Sequence, residues 1–396
     1  MTNWQGPNLT ESLSGEKPLF LVHRSFQNAN RLPETLDYLS GSHGDDLALG
    51  VVARLPRMTA NTMRNFAQAV SHVPVRIVDP ELWRHPDSGW PEAKALKSPA
   101  TDWTYLTKQP DKPIRAWAKA VLDAQRAHNA SVLLSATGWV TSNDGQRALQ
   151  RALSWMDESR QEAGNVPFWV NLTLDYSWLT DKTLRNTLIE EIVESNEQHW
   201  YLRFWWPEVP TRYGQLLDES VLEGYRTLAR ECDVEEKRLY LPNSGLTGWV
   251  ASALGAAGFS TGMSWPEQAF ARERPIARRP GVPAPPRIPR LFDGMLLHTM
   301  EYGEYLRIRE TSGHNEWRTP FLDETERRGH SPELAGLHYV ASAGTLTAQL
   351  AHRRPNVAAE RLVRQAQTFL NGLSPAEQLI GINRPTHLES WNTLLS

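Results

Sequence analysis

The chain has 396 residues, a formal net charge of −3, one cysteine and 16 tryptophans. That length buries a sizeable core as one large domain with an appendage or as two ordinary domains. The near-balanced charge gives no global signature for nucleic acid or membrane, and Cys232 alone excludes an internal disulfide and any multi-cysteine zinc site. A single cysteine fits a reducing cytoplasm, and no apolar run approaches the roughly 20 residues that span a bilayer.

Residues 1–17 read as a polar leader, without the basic start and apolar stretch of a secretory signal. Eight short apolar runs follow: PLFLVHRSF (18–26), LALGVVARL (47–55), VPVRIVDPE (73–81), SVLLSATGW (131–139), FWVNLTLDY (168–176), WYLRFWWPE (200–208), RLYLPNSG (238–245) and GFSTGMSWPE (258–267). Helix-like stretches separate them. In 145–159 the periodic positions are Ala148, Leu149, Ala152, Leu153 and Met156, and in 184–195 they are Leu184, Leu188, Ile189, Ile192 and Val193. In 215–230 they are Leu216, Leu217, Val221, Tyr225 and Leu228. This rhythm predicts an α/β fold, a (β/α)8 TIM-like barrel over 18–268 with a helical C-terminal appendage. A doubly wound α/β sheet is the alternative, with one crevice at a strand-order reversal.

The connection after the third run is long, 82–130, rich in Pro and Trp, and convincingly helical only at its end. It reads as a lid or partner-binding insert. Residues 269–291 form an Arg/Pro-rich connector with Arg272, Arg274, Arg278, Arg279, Arg287 and Arg290. That composition excludes regular secondary structure. It reads either as a solvated connector or as an arm for phosphate or an acidic protein partner. Residues 292–396 read as the helical C-terminal region, with a clear stripe of Leu362, Val363, Ala366, Phe369 and Leu370.

In a barrel, the site lies where the strands end. Asp175 ends the fifth run, and Glu208 and Glu267 close Trp-Pro-Glu triplets beyond the sixth and eighth. Carboxylates facing one another across such a mouth serve as acid and nucleophile on a glycosidic bond. Each acid has a plainer reading as a helix cap or an ion-pair partner. The candidate ligand-binding residues are His23, Arg24, Arg54, Asp79, Glu81, Trp139, Asn171, Arg203, Trp205, Trp206, Asn243 and Trp265. The tryptophans supply stacking faces for a sugar ring or nucleobase, or else pack the core. Arg203 lies inside an apolar run and needs a buried partner, for which Asp175 is the expected carboxylate, or else it grips a ligand anion. Gly258–Gly262 spells G-x-S-x-G, but a helix-like run precedes it and a Pro turn follows, the reverse of a nucleophile elbow. The 12 histidines show no metal-binding spacing, no phosphate-binding glycine motif is present, and neither metal nor cofactor is expected.

GLTGWVASALGAAGFSTGMSW, then the basic connector, then LHYVASAGTLTAQLA, resembles the layout of base-exchanging transglycosylase barrels, the tRNA-guanine transglycosylases and their DNA-modifying relatives. The resemblance covers the last third of the chain. It implies a barrel acting on a nucleoside glycosidic bond. The zinc-binding cysteine cluster of that family is missing here, and none of its catalytic aspartates is matched to a position, which implies a divergent or inactive member.

Three functions follow as expectations, one of them a binding module for a small aromatic or sugar ligand, which predicts quenching of tryptophan fluorescence. Another is a TIM-barrel enzyme acting on a glycosidic bond of a sugar or nucleoside through the mouth carboxylates. The third is a catalytically inactive barrel serving as a recognition subunit of a larger assembly, nucleic-acid associated or in phage defence. A non-membrane small-molecule or nucleic-acid ligand, and a protein partner on the 82–130 insert or the arginine arm, are expected alongside these functions.

Overall fold

In the computed structural model the described residues are 4–25, 30–85, 87–93, 110–209, 215–272, 288–351 and 354–396. The barrel is formed by β1 (Leu19–His23), β2 (Ala48–Arg54), β3 (Val75–Asp79), β4 (Leu133–Leu134), β6 (Phe168–Asp175), β7 (His199–Trp205), β8 (Arg238–Leu241) and β9 (Gly258–Thr261), while the short β5 (Trp139–Val140) extends the edge of β6. The order is β3-β2-β1-β9-β8-β7-β6-β4, parallel throughout. An Ile77–Val132 bridge brings the two ends together, so eight strands nearly close into a barrel. Parallel strands buried on both faces need continuous apolar runs, which is why the eight runs read without polar alternation.

Helices wrap the outside. Lys182–Glu194 buries Leu188 and Ile192, and Glu219–Val234 buries Val221, Tyr225 and Leu228. Asp218 caps the second through Ser220 and Val221 N–H, so it starts four residues later than the apolar spacing suggests. Inside the barrel, Leu19, Leu21, Val75, Ile77, Trp169, Tyr201 and Tyr240 form a separate apolar cluster toward the strands' N-terminal ends. Gly50 faces that cluster because a Cβ there would meet Leu21 at 2.5 Å.

Two sequence expectations need revision. The polar leader contains a helix, Leu9–Leu13, capped by Asn8 and Glu11, and Leu9 and Leu13 pack against the apolar interior. The C-terminal region opens on a β-hairpin, β10 (Arg290–Asp293) with β11 (His298–Glu301), before its helices. Leu291, Phe292 and Met300 are fully buried and hold that hairpin against helix Pro332–Ala348, whose His338 Nε2 bonds Phe292 O at 3.0 Å. Among the described residues no helix is long and apolar enough to cross a membrane.

Candidate binding site at the barrel mouth

Arg203 organises the C-terminal half of the interior. Its side chain is 1% exposed and crosses the barrel from β7. Nε donates to Asn243 Oδ1 at 2.8 Å, one terminal nitrogen to Thr173 Oγ1 at 3.2 Å, and the other to the Asp79 carboxylate. The partner is therefore Asp79 on β3, not the expected Asp175. The reason is height along the strands: Asp79 follows Val75 and Ile77 at period two and points inward, Thr173 is the β6 residue level with Arg203, and Asp175, two residues further on, accepts from backbone N–H groups instead. Burial alone would lower the Arg203 pKa; the charge of Asp79, with Tyr201 and Glu81, outweighs it and raises the pKa.

His23 and Ser260 complete this layer. His23 Nε2 lies 2.6 Å from Ser260 Oγ, which also accepts from Asn243 N–H at 2.8 Å. Burial first, then the charges of Arg54 and Arg203, hold the His23 pKa well below its ordinary value, so the imidazole is neutral. Both residues are 0% exposed, so the G-x-S-x-G serine is an interior hydrogen-bonding group and not a presented nucleophile. Asn171, two residues before Thr173 on β6, has an Oδ1 without a partner among the described residues, while its backbone N–H donates to Ser135 Oγ at 2.8 Å.

The two ends of this layer carry left-handed backbone. Asn243 has φ 56° and Glu81 φ 43°. Such conformations cost energy in non-glycine residues and cluster at functional sites. Asn243 is held by its amide, which donates to Pro266 O at 3.0 Å and accepts from Arg203. Glu81 is held by its N–H to Asp79 Oδ1 at 2.8 Å and by an ion pair to Arg84 at 2.9 Å.

An aromatic wall stands above. Trp83 packs edge-on against Trp90 (4.6 Å) and Phe270 (4.7 Å); Trp90 meets Trp205 at 6.4 Å, and Trp205 meets Trp139 at 6.1 Å. Trp90, Trp139 and Trp205 remain part-exposed. The indole N–H groups of Trp83, Trp90 and Trp205 are buried without an acceptor among the described residues. Thus the start of the 82–130 insert folds onto the mouth; its central part lies outside the described residues. Trp83, Trp90, Phe270, Thr173 and Ser260 were not among the sequence candidates for this site. Their signals were the Trp-rich start of the insert and the period-two continuation of the apolar strands.

The predicted carboxylates are engaged elsewhere. Asp175 accepts from Ser177 N–H at 2.8 Å and Ser142 N–H at 3.2 Å. Glu267, 0% exposed, pairs with Arg54 at 2.7 Å and accepts from Ser264 N–H at 3.0 Å in a capping box. Gly262 leaves room for it, because a Cβ there would lie 2.4 Å from its carboxylate oxygen. Glu208 lies exposed beyond β7. Trp206 is 1% exposed and donates to Tyr225 Oη at 2.7 Å, which makes it a core residue. Trp265 opens helix Trp265–Gln268 and packs against the outer core.

Of the arginine arm, Arg274, Arg278, Arg279 and Arg287 lie outside the described residues. Arg272 bonds through its N–H to Trp206 O at 3.0 Å. Arg290 belongs to the β10–β11 hairpin, 3.6 Å from Glu301, and so is not part of an irregular arm. Among the described residues no three His, Cys, Asp or Glu side chains gather as a metal site. No family model matches the chain, and no curated protein matches its sequence.

Proposed function

We propose that the protein is a recognition barrel whose C-terminal mouth binds a ring with a flat face, a sugar or a nucleobase, without cleaving it. The observation that carries this reading is the line of part-exposed indoles, Trp90, Trp205 and Trp139, standing over the polar layer centred on Arg203. Indole faces stack on a ring, and unpaired indole N–H and Asn171 oxygen offer it directional hydrogen bonds. Cleavage of a glycosidic bond calls for two uncommitted carboxyl groups flanking it. Here Asp79 is tied to Arg203, Glu267 to Arg54, Glu81 to Arg84, and Asp175 to two backbone N–H groups.

Tryptophan fluorescence of the full chain, titrated with free sugars, nucleosides and nucleobases, tests this reading. A ring ligand should shift the emission saturably. Trp139→Ala should weaken that binding by about 1–3 kcal/mol, the range for loss of one stacking face. An emission unresponsive across the whole panel overturns the reading.

A glycosidic-bond enzyme is the second reading, supported by one observation: Asp175 ends β6 beside Trp205, and the exposed Glu208 follows on the neighbouring strand end. Hydrolysis of a glycoside or nucleoside by the wild type, abolished in Asp175→Asn or Glu208→Gln, would establish it in place of the first. It is also the form in which kinship to the base-exchanging transglycosylases would show itself.

A further inference from the structure

The mouth carries a charge left unmatched among the described residues. Arg54 at the end of β2 is neutralised by Glu267. Arg24, one residue beyond β1, is fixed by its N–H to Val52 O at 2.9 Å, which brings it beside the β2 end. Its guanidinium is half-buried and stands 5.4 Å over the Phe66 ring, and no carboxylate among the described residues pairs with it. A cation–π contact is worth little beside a charge-assisted hydrogen bond. The Nε atoms of Arg24 and of Arg54 are both buried without an acceptor among the described residues. His23, next to Arg24, adds no charge, being neutral. Burial, and then the charge of Arg54, lower the Arg24 pKa, as expected of a half-buried guanidinium that stands near a second one.

We infer that Arg24 and Arg54 form an oxyanion site at the β1–β2 side of the mouth, which takes the phosphate or carboxylate of the ligand whose ring stands against the indoles. The planar guanidinium fork matches both groups: the Nε–H of Arg24, with a terminal N–H of the same guanidinium, forms an edge that holds an oxyanion bidentately, and the Nε–H of Arg54 is likewise unused among the described residues. The inference rests on the ring-binding reading above and narrows it to an anionic ligand, such as a sugar phosphate, a nucleotide or a sugar acid.

The test is calorimetric titration of the full-length protein with inorganic phosphate at low ionic strength, with sulfate and acetate in parallel. Saturable phosphate binding is expected, weakened at least tenfold in Arg24→Gln and partly kept in Arg24→Lys. Arg160→Gln, at the opposite end of the barrel beside Phe168 and His199, should leave it unchanged. Tighter binding of phosphate and sulfate than of acetate would assign the site to a tetrahedral anion, and the reverse to a carboxylate. A second readout needs no variant: phenylglyoxal modification of Arg24, mapped by peptide mass, should slow when phosphate or acetate is present. Equal binding by wild type and Arg24→Gln, or no binding and no protection at tens of millimolar anion, overturns the inference. Inorganic phosphate has no ring, so the two readings fail separately. Phosphate binding without any ring response refutes the ring site alone, and ring binding without anion binding refutes this one.

Discussion

The lower and upper halves of the barrel interior hang on the same strands and continue the same inward positions, yet they hold opposite chemistry. Below are Leu21, Ile77, Trp169, Tyr201 and Gly258; two residues further along each strand stand His23, Asp79, Asn171, Arg203 and Ser260. The lower half has to fill volume, and Trp169 does so by stacking on Tyr240 at 4.0 Å and 7°. The upper half has to satisfy donors and acceptors one by one, through Arg203 to three different strands or strand ends. Apolar packing tolerates substitution in proportion to the volume lost, whereas a buried polar network fails as a unit when one partner goes. The contrast separates the half that fills the barrel from the half that holds a polar network beneath the mouth.

Two substitutions break that contrast at its strongest points. Trp169→Ala removes the largest side chain of the lower layer and should cost about 3–5 kcal/mol in denaturant unfolding, the range for a buried aromatic truncated to alanine. It should leave ring and anion binding at the mouth in place. A loss below about 1 kcal/mol would mean that the lower half collapses to fill the space, contrary to the close packing described. In the upper half, Arg203→Met strands the Asp79 carboxylate and should cost about 3–5 kcal/mol. Adding Asp79→Leu should recover much of that, because the pair is replaced rather than broken. Recovery should be incomplete, since Asn243 Oδ1 and Thr173 Oγ1 also lose their donor. A double variant as unstable as the single would show that the two charges are not coupled.

The same contrast explains what was legible in the sequence. Apolar runs announce strands by composition, so the barrel, its strand order in the chain and the outer helices could be read directly. Leu188 and Ile192 fall where helical spacing places them. Polar partners across a barrel carry no such local sign. Asp79 and Arg203 are 124 residues apart, and only closure of the sheet brings them together. Asp175 was the expected partner because it ends the neighbouring strand; it shares the parity of Thr173 but lies two residues beyond the level of Arg203, where backbone N–H groups take it instead. Glu267 shows the converse, since the Ser264–Glu267 spacing is a capping box and announced its plainer role. The hairpin at Arg290–Glu301 was hidden because its strands are four residues each, follow a Pro-rich stretch and precede a long helical pattern.

The smallest expected effect sharpens the comparison through two histidines, one in each half. His199, stacked on Trp169 and Tyr240 in the lower half, is pushed down to about 4 by burial, then by Arg238. His23 in the upper half lies well below 6.5, by burial and then by Arg54 and Arg203. Above pH 6.5 neither the folded nor the unfolded chain protonates them, and their contribution to stability is complete. Below it the unfolded chain takes up protons that the fold refuses, so stability falls as pH falls, by up to about 1.4 kcal/mol per pH unit for each histidine. His199→Gln and His23→Gln should each make the acid decline shallower. For His199 the difference from wild type should stop growing near pH 4, where the folded protein also takes the proton. For His23 two guanidinium groups oppose the charge in addition to burial. Denaturant midpoints measured in half-unit steps from pH 7 to 3.5 distinguish the two. Identical curves for the two variants would mean that the upper half imposes no more than burial on its histidine, and that the electrostatic difference between the halves is not felt where it matters most, beside Arg54.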